Sequence, residues 1–128
     1  MPIKDLAAQK PTPNTRMQMF DIYSWQPPGW PEPHPAVIIS NPDRIKNKPV
    51  VEVIMCSPHK AGRSALPGEI TLNGADGLDW PTLCKCDLIY AVQKTELNQK
   101  RGEVAIPRRA QLIRTVIAAH AWGEVLGI

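Results

Sequence analysis

Residues 49–57, PVVEVIMCS, decide the fold class of this chain. Val50, Val51, Val53 and Ile54 are β-branched, stiff at χ1 and suited to a pleated surface, so the run reads as a strand with a central place in a sheet. The same pattern repeats outward from it. On the N-terminal side, residues 36–40 (AVIIS) form a short buried strand that stops at the turn signal Asn41-Pro42-Asp43. The following RIKNK, 44–48, reads as a solvated basic turn. Upstream, residues 26–35 (QPPGWPEPHP) hold five prolines and a glycine. That density excludes a helix or an inner strand and calls for a shaped loop. Residues 19–25 (MFDIYSW) are an opening apolar and aromatic strand.

On the C-terminal side, residues 58–68 (PHKAGRSALPG) are polar and flexible and carry His59, Lys60 and Arg63. A fourth strand, EITL (69–72), precedes NGADGLDWP (73–81), dense in turn residues. A fifth strand spans TLCKCDLIYAVQ (82–93), and the polar link KTELNQKRG (94–102) leads to a short strand at 103–106. After Pro107 the period changes. Apolar residues at Ala110, Leu112, Ile113, Val116, Ile117 and Ala121 have helical spacing, with Pro107 in the first turn and Gly123 at the stop. Consecutive strands with no interleaved helices favour an antiparallel barrel over an α/β sheet, so the expectation is mostly β with a C-terminal helix.

The totals fit this reading. A chain of 128 residues makes one domain, 43% apolar content suffices for a core, and 14 prolines argue against a long-helix bundle. Residues 1–17, polar and aperiodic, read as a mobile arm, and residues 18–128 as the single domain. A net charge of +3 is compatible with a polyanionic partner without pointing to one. Three cysteines, Cys56, Cys84 and Cys86, cannot all pair within the chain. They read as buried, reduced thiols, and their spacing matches no zinc-binding pair, so neither metal nor cofactor is expected. No secretory signal or membrane span is read, and the expected location is the cytoplasm. Lys85 and Asp87 stand two apart on a strand, so both project from one face, an arrangement that a plain surface ion pair also satisfies.

The order of these segments resembles the PemK/MazF (Kid/CcdB-like) family of type II toxin–antitoxin systems. Phe20-Asp21-Ile22-Tyr23 is similar to the family's opening Gly-Asp-Ile strand without the glycine. His34-Pro35-Ala36-Val37-Ile38-Ile39-Ser40 resembles Arg-Pro-Ala-Val-Val-Leu-Ser, and Ile54-Met55-Cys56-Ser57 a segment ending in Ser or Thr. Gly77-Leu78 with Lys85-Cys86-Asp87-Leu88-Ile89 resembles the Gly-(Val/Leu)…Arg-Cys-Asp-Gln stretch, and Arg101-Gly102-Glu103-Val104 the lead into the final helix. The likeness spans about residues 19 to 126. It implies an SH3-like antiparallel β-barrel, usually a homodimer, that cleaves single-stranded RNA without a metal and is inhibited by an antitoxin.

By that resemblance Asp87 stands at the family's base, and Lys85 keeps the charge of an arginine that serves as acid or phosphate anchor, without its bidentate fork. His34 replaces the usual catalytic arginine. Histidines titrate near about 6.5, so this one can act as acid or base at neutral pH, or else be a loop histidine packed among prolines. Ser57 stands where a hydroxyl bonds the scissile phosphate. Lys60 and Arg63 can track an RNA backbone, and Trp30 can stack an unpaired base or clamp its own loop. Trp25 and Trp80 read as core or dimer-contact aromatics. Arg108, Arg109 and Arg114 read as solvated residues flanking the helix stripe, and His120 as packed or capping. Two other readings remain: a CcdB-like gyrase poison, loosely suggested by the Trp122-Gly123…Ile128 ending, and a degenerate toxin disabled at His34.

Overall fold

The computed structural model describes residues 17–128. The expected N-terminal arm lies outside these residues except for Met17, which is buried. Six strands form one antiparallel sheet: β1 (Asp21–Trp25), β2 (His34–Ile38), β3 (Val50–Cys56), β4 (Glu69–Leu72), β5 (Thr82–Gln93) and β6 (Leu97–Glu103). Their spatial order is β4-β5-β3-β2-β1-β6, so the β-branched run at β3 occupies an interior place, paired to β2 and β5. Among the described residues three helices complete the fold: α1 (Pro42–Asn47), α2 (Ile106–Ala119) and α3 (Trp122–Leu126). None of the helices among the described residues is long and apolar enough to cross a membrane.

The sheet buries both faces because side chains alternate across it. One face carries Ile22, Val37, Ile54, Cys56 and Leu72 against Leu112 and Val116 of α2. The other carries Trp25, Ala36, Ile38, Val53 and Met55 with Ile45 of α1. Burying a leucine of the Leu112 kind contributes about 2 kcal/mol.

No ladder joins β4 to β6 among the described residues, so the hydrogen-bonded sheet is open. Its two edges are joined by another device. After β4, a 3-10 turn (Gly74–Asp76) is capped by Asn73 and closed by Gly77 at φ +87°, a conformation that favours glycine. This turn lies directly on Gly102 of β6, where a Cβ would collide with the Asp76 carbonyl oxygen. The buried Asp76 carboxylate then accepts from Ala105 N at 2.8 Å and from Arg108 Nε at 3.3 Å. Arg108 is therefore a structural tie, not a solvated flank.

Four segments differ from expectation. RIKNK is not a turn but the body of α1: Asn41 caps it through Arg44 N, Pro42 stands in its first turn and Ile45 is buried. The link at 94–102 is largely β6, an edge strand that among the described residues pairs only with β1 and buries little besides Leu97. Strand β2 begins at His34, two residues earlier than read. Helix α2 stops at Ala119, ahead of Gly123, because Ala121 turns into the left-handed region (φ 57°) and starts α3.

Candidate functional site

Register places the sequence-read candidates along one end of the sheet. Ala36 of β2 pairs with Met55 of β3, and continuing that register sets His34 opposite Ser57. Cys56 pairs with Cys84 of β5, and Lys85 pairs with Glu69 of β4. Residues two apart share a face. His34 and Ser57 thus project on the side of Ala36 and Met55, and Lys85 projects opposite the buried Cys84 and Cys86, on that same side. Strands β2, β3, β5 and β4 are consecutive neighbours, so His34, Ser57, Lys85 and Glu69 form one band.

Local contacts fix each member. His34 Nδ1 lies 3.0 Å from the Cys56 carbonyl oxygen. A carbonyl only accepts, so Nδ1 carries the hydrogen and Nε2 is left bearing the lone pair in neutral imidazole. The Trp30 and His34 rings pack at a steep angle, 70°, with centroids 4.8 Å apart. Trp30 closes its own loop as well, through Trp30 N to Pro27 O and Gln26 Nε2 to Trp30 O. Ser57 is held from both sides: its N donates to Leu83 O and its carbonyl accepts from Thr82 Oγ1 at 2.6 Å. The two loops that flank His34 meet through His59 Nε2 and Glu32 Oε2, 3.1 Å apart.

Lys85 does not pair with Asp87. Its Nζ donates to Glu69 Oε2 at 2.6 Å, and Arg63 grips the same carboxylate through Nη1 at 2.7 Å and Nη2 at 3.0 Å. Leu66 N adds a third donor at 2.9 Å. Arg63 first, then Lys85 and Leu66 N, hold the Glu69 carboxyl far below the usual carboxylate range. Asp87 goes elsewhere because of a bulge. Between Ile54↔Ile89 and Cys56↔Cys84, β5 advances five residues while β3 advances two, and the exposed Asp87 and Leu88 sit in the excess. Asp87 borders a groove of about 400 Å³ between Leu66–Gly68 of the β3–β4 loop, Glu69 of β4 and Ala118–Ala119 of α2.

The remaining candidates fall away from the band or into packing. Lys60 is exposed on the β3–β4 loop. Trp25 is buried and donates Nε1 to Glu96, whereas Trp80 is 44% exposed. His120 places Nε2 3.2 Å from Cys86 O and stacks on Trp122. Arg109 donates to Val104 O and covers the Phe20 ring. The three cysteines are free and buried; contact with the Cys56 and Cys86 sulfurs, with burial, pushes the Cys84 thiol well up. Glu69, Glu32 and Thr82 are the site residues that reading by motif misses. Glu69 left no signal of its own, since the partner that gives it a role stands on another strand.

An antiparallel sheet of six strands with a C-terminal helix is a fold shared with solved toxin structures. Residues 21–119 match the family described as PemK-like, MazF-like toxin of type II toxin-antitoxin system. The chain belongs to that family. Among solved structures, it is similar to an endoribonuclease from Mycobacterial species (19% identity, TM-score 0.69), covering 82% of this chain and 91% of that one. It is also similar to an endoribonuclease in complex with its cognate antitoxin from Mycobacterial species (20%, TM-score 0.71, 82% and 95% covered). A third likeness is to MazE-MazF from Deinococcus radiodurans (14%, TM-score 0.62, 88% and 96% covered). No curated protein matches the chain by sequence.

Proposed function

We propose that this protein is a metal-independent endoribonuclease toxin that cleaves single-stranded RNA in the cytoplasm, leaving 2′,3′-cyclic phosphate and 5′-hydroxyl ends. One observation carries the reading: the Cys56 carbonyl binds His34 Nδ1, so Nε2 is the free nitrogen, in a band shared with Ser57 and Lys85. Such cleavage needs a base, an acid and donors for the phosphorane, and the chain's own groups are of the right kinds. Asp87, at the family's base position, borders the band only through the groove it shares with Glu69; from there it takes the proton of the 2′-hydroxyl as that oxygen attacks phosphorus. His34, protonated, gives the Nε2 hydrogen to the departing 5′-oxygen as the P–O5′ bond breaks. Lys85 and Ser57 donate to the non-bridging oxygens. Trp30 offers a ring for an unpaired base, and Lys60 and Arg63 extend positive charge along the loop. The wider reading keeps the family's SH3-like barrel, with the Asp76–Gly102 junction joining its edges, a homodimer, and neutralisation by a cognate antitoxin.

The test is cleavage of a long single-stranded RNA in EDTA by the wild type, His34→Ala and Asp87→Ala. Metal-independent cuts that each variant loses by a hundredfold or more are expected, the usual scale for a positioned acid or base. A folded wild type that leaves the RNA intact removes the catalytic reading in favour of a binding toxin.

A further inference from the structure

A lysine is a point charge on a flexible four-carbon stem, and by itself it samples many rotamers. Lys85 is restrained from outside. Glu69 stands opposite it in the β4–β5 register and takes one of its three hydrogens at 2.6 Å. The carboxylate that does this is itself immobilised, with a side chain only 10% exposed. Oε1 accepts from Arg63 Nη1 and Leu66 N, and Oε2 from Arg63 Nη2 and Lys85. Arg63 Nη1 also donates to Ser64 O, so the guanidinium is engaged within its own loop. The loop, the carboxylate and the lysine make one rigid unit beside Ser57 and His34. Two ammonium hydrogens of Lys85 remain for an incoming anion.

We infer that Glu69 is the positioning residue of the RNA site: with Arg63 as its brace, it holds the Lys85 ammonium in the band where the scissile phosphate is bound. This rests on the endoribonuclease reading of the same band. It reassigns Arg63 from RNA contact to loop brace, and it gives Glu69 no contact with RNA. The carboxylate works only through Lys85, so the two residues must be coupled. A bare increase in positive charge gives the opposite sign: without coupling, losing Glu69 frees two cations and strengthens the pull on a polyanion.

The experiment is a double-mutant cycle with Glu69→Gln and Lys85→Met in the full chain. Two readouts are taken: the single-turnover cleavage rate at saturating RNA, and affinity for a 2′-O-methyl oligonucleotide that binds but has no 2′-hydroxyl to react. Each single variant is expected to slow cleavage at least tenfold. Lys85→Met in the Glu69→Gln background should cost less than a further twofold. Losses that multiply, or a Glu69→Gln protein that cleaves at the wild-type rate, overturn the inference, because a residue that only stabilises the loop acts independently of Lys85. Thermal melts of all four proteins separate a failure to fold from a failure to position. Should the wild type cleave no RNA, the catalytic reading falls by itself, and oligonucleotide affinity decides alone. A tenfold loss from Lys85→Met that shrinks below twofold without Glu69 sustains the inference, and equal losses in both backgrounds overturn it.

Discussion

Replacing Asp76 by alanine tests whether the junction between the sheet's two edges holds the domain together. The carboxylate is 1% exposed and receives Asn73 N at 2.9 Å, Ala105 N at 2.8 Å and Arg108 Nε at 3.3 Å. Alanine leaves both backbone N–H groups without that acceptor. A buried donor stranded in this way costs about 1–3 kcal/mol. Arg108 loses its ion pair but keeps Thr71 O and Asn73 Oδ1, and its side chain is 26% exposed, so the electrostatic loss is discounted for solvent. The sum is about 3 kcal/mol, or a fall of about 10–15 °C in Tm for a domain of this size. Urea unfolding at neutral pH with an unchanged slope is the assay. Asp76→Asn should lose less, since its retained oxygen can still serve Ala105 N. Gly102→Ala attacks the same junction from β6 and should cost at least as much, because the colliding atoms are backbone and cannot swing aside. A loss below about 1 kcal/mol for Asp76→Ala would falsify the view that this contact joins the edges.

Acid stability follows from Glu69, whose folded carboxyl lies below its ordinary value of 4.5. Its stabilisation is complete above that value and is lost as pH falls through it toward the folded one. The Tm of the wild type should therefore drop more steeply below about pH 4.5 than that of Glu69→Gln, and parallel curves would contradict the assignment. Trp30→Ala should weaken binding of a single-stranded oligonucleotide about tenfold, the scale of one lost base stack. Unchanged affinity would leave Trp30 as a clamp on its loop and a wall for His34. The EDTA cleavage assay and the Glu69–Lys85 cycle complete the set.

Several elements were legible because one signal dominated each. β3 announces itself by β-branched residues, and α2 by its spacing of Leu112 and Val116, both of which are buried. The short α1 was hidden because Asn41-Pro42-Asp43 begins a helix and a turn equally well; only the burial of Ile45 separates them. β6 was hidden because an edge strand satisfies its backbone on one side and leaves most side chains in water, so no alternation is imposed. In the site, His34 and Ser57 were placed by motif and come together by register. The Lys85–Asp87 pair failed for a physical reason: i,i+2 geometry assumes a regular strand, and the bulge between Cys84 and Ile89 breaks it. Glu69 could not be found from local sequence because its role depends on a cross-strand partner sixteen residues away.

Cys56, Cys84 and Cys86 lie under the polar band at one end of the sheet with no measurable exposure, and Cys56 and Cys84 face each other across β3 and β5. A thiol reagent reaches them only when those strands part. The molecule thus carries an internal clock: the rate at which its sulfurs are modified reports how often this end of the sheet opens, without any added label and without reference to RNA. An antitoxin or oligonucleotide that braces the fold would slow that clock, and one that merely covers the surface would leave it running.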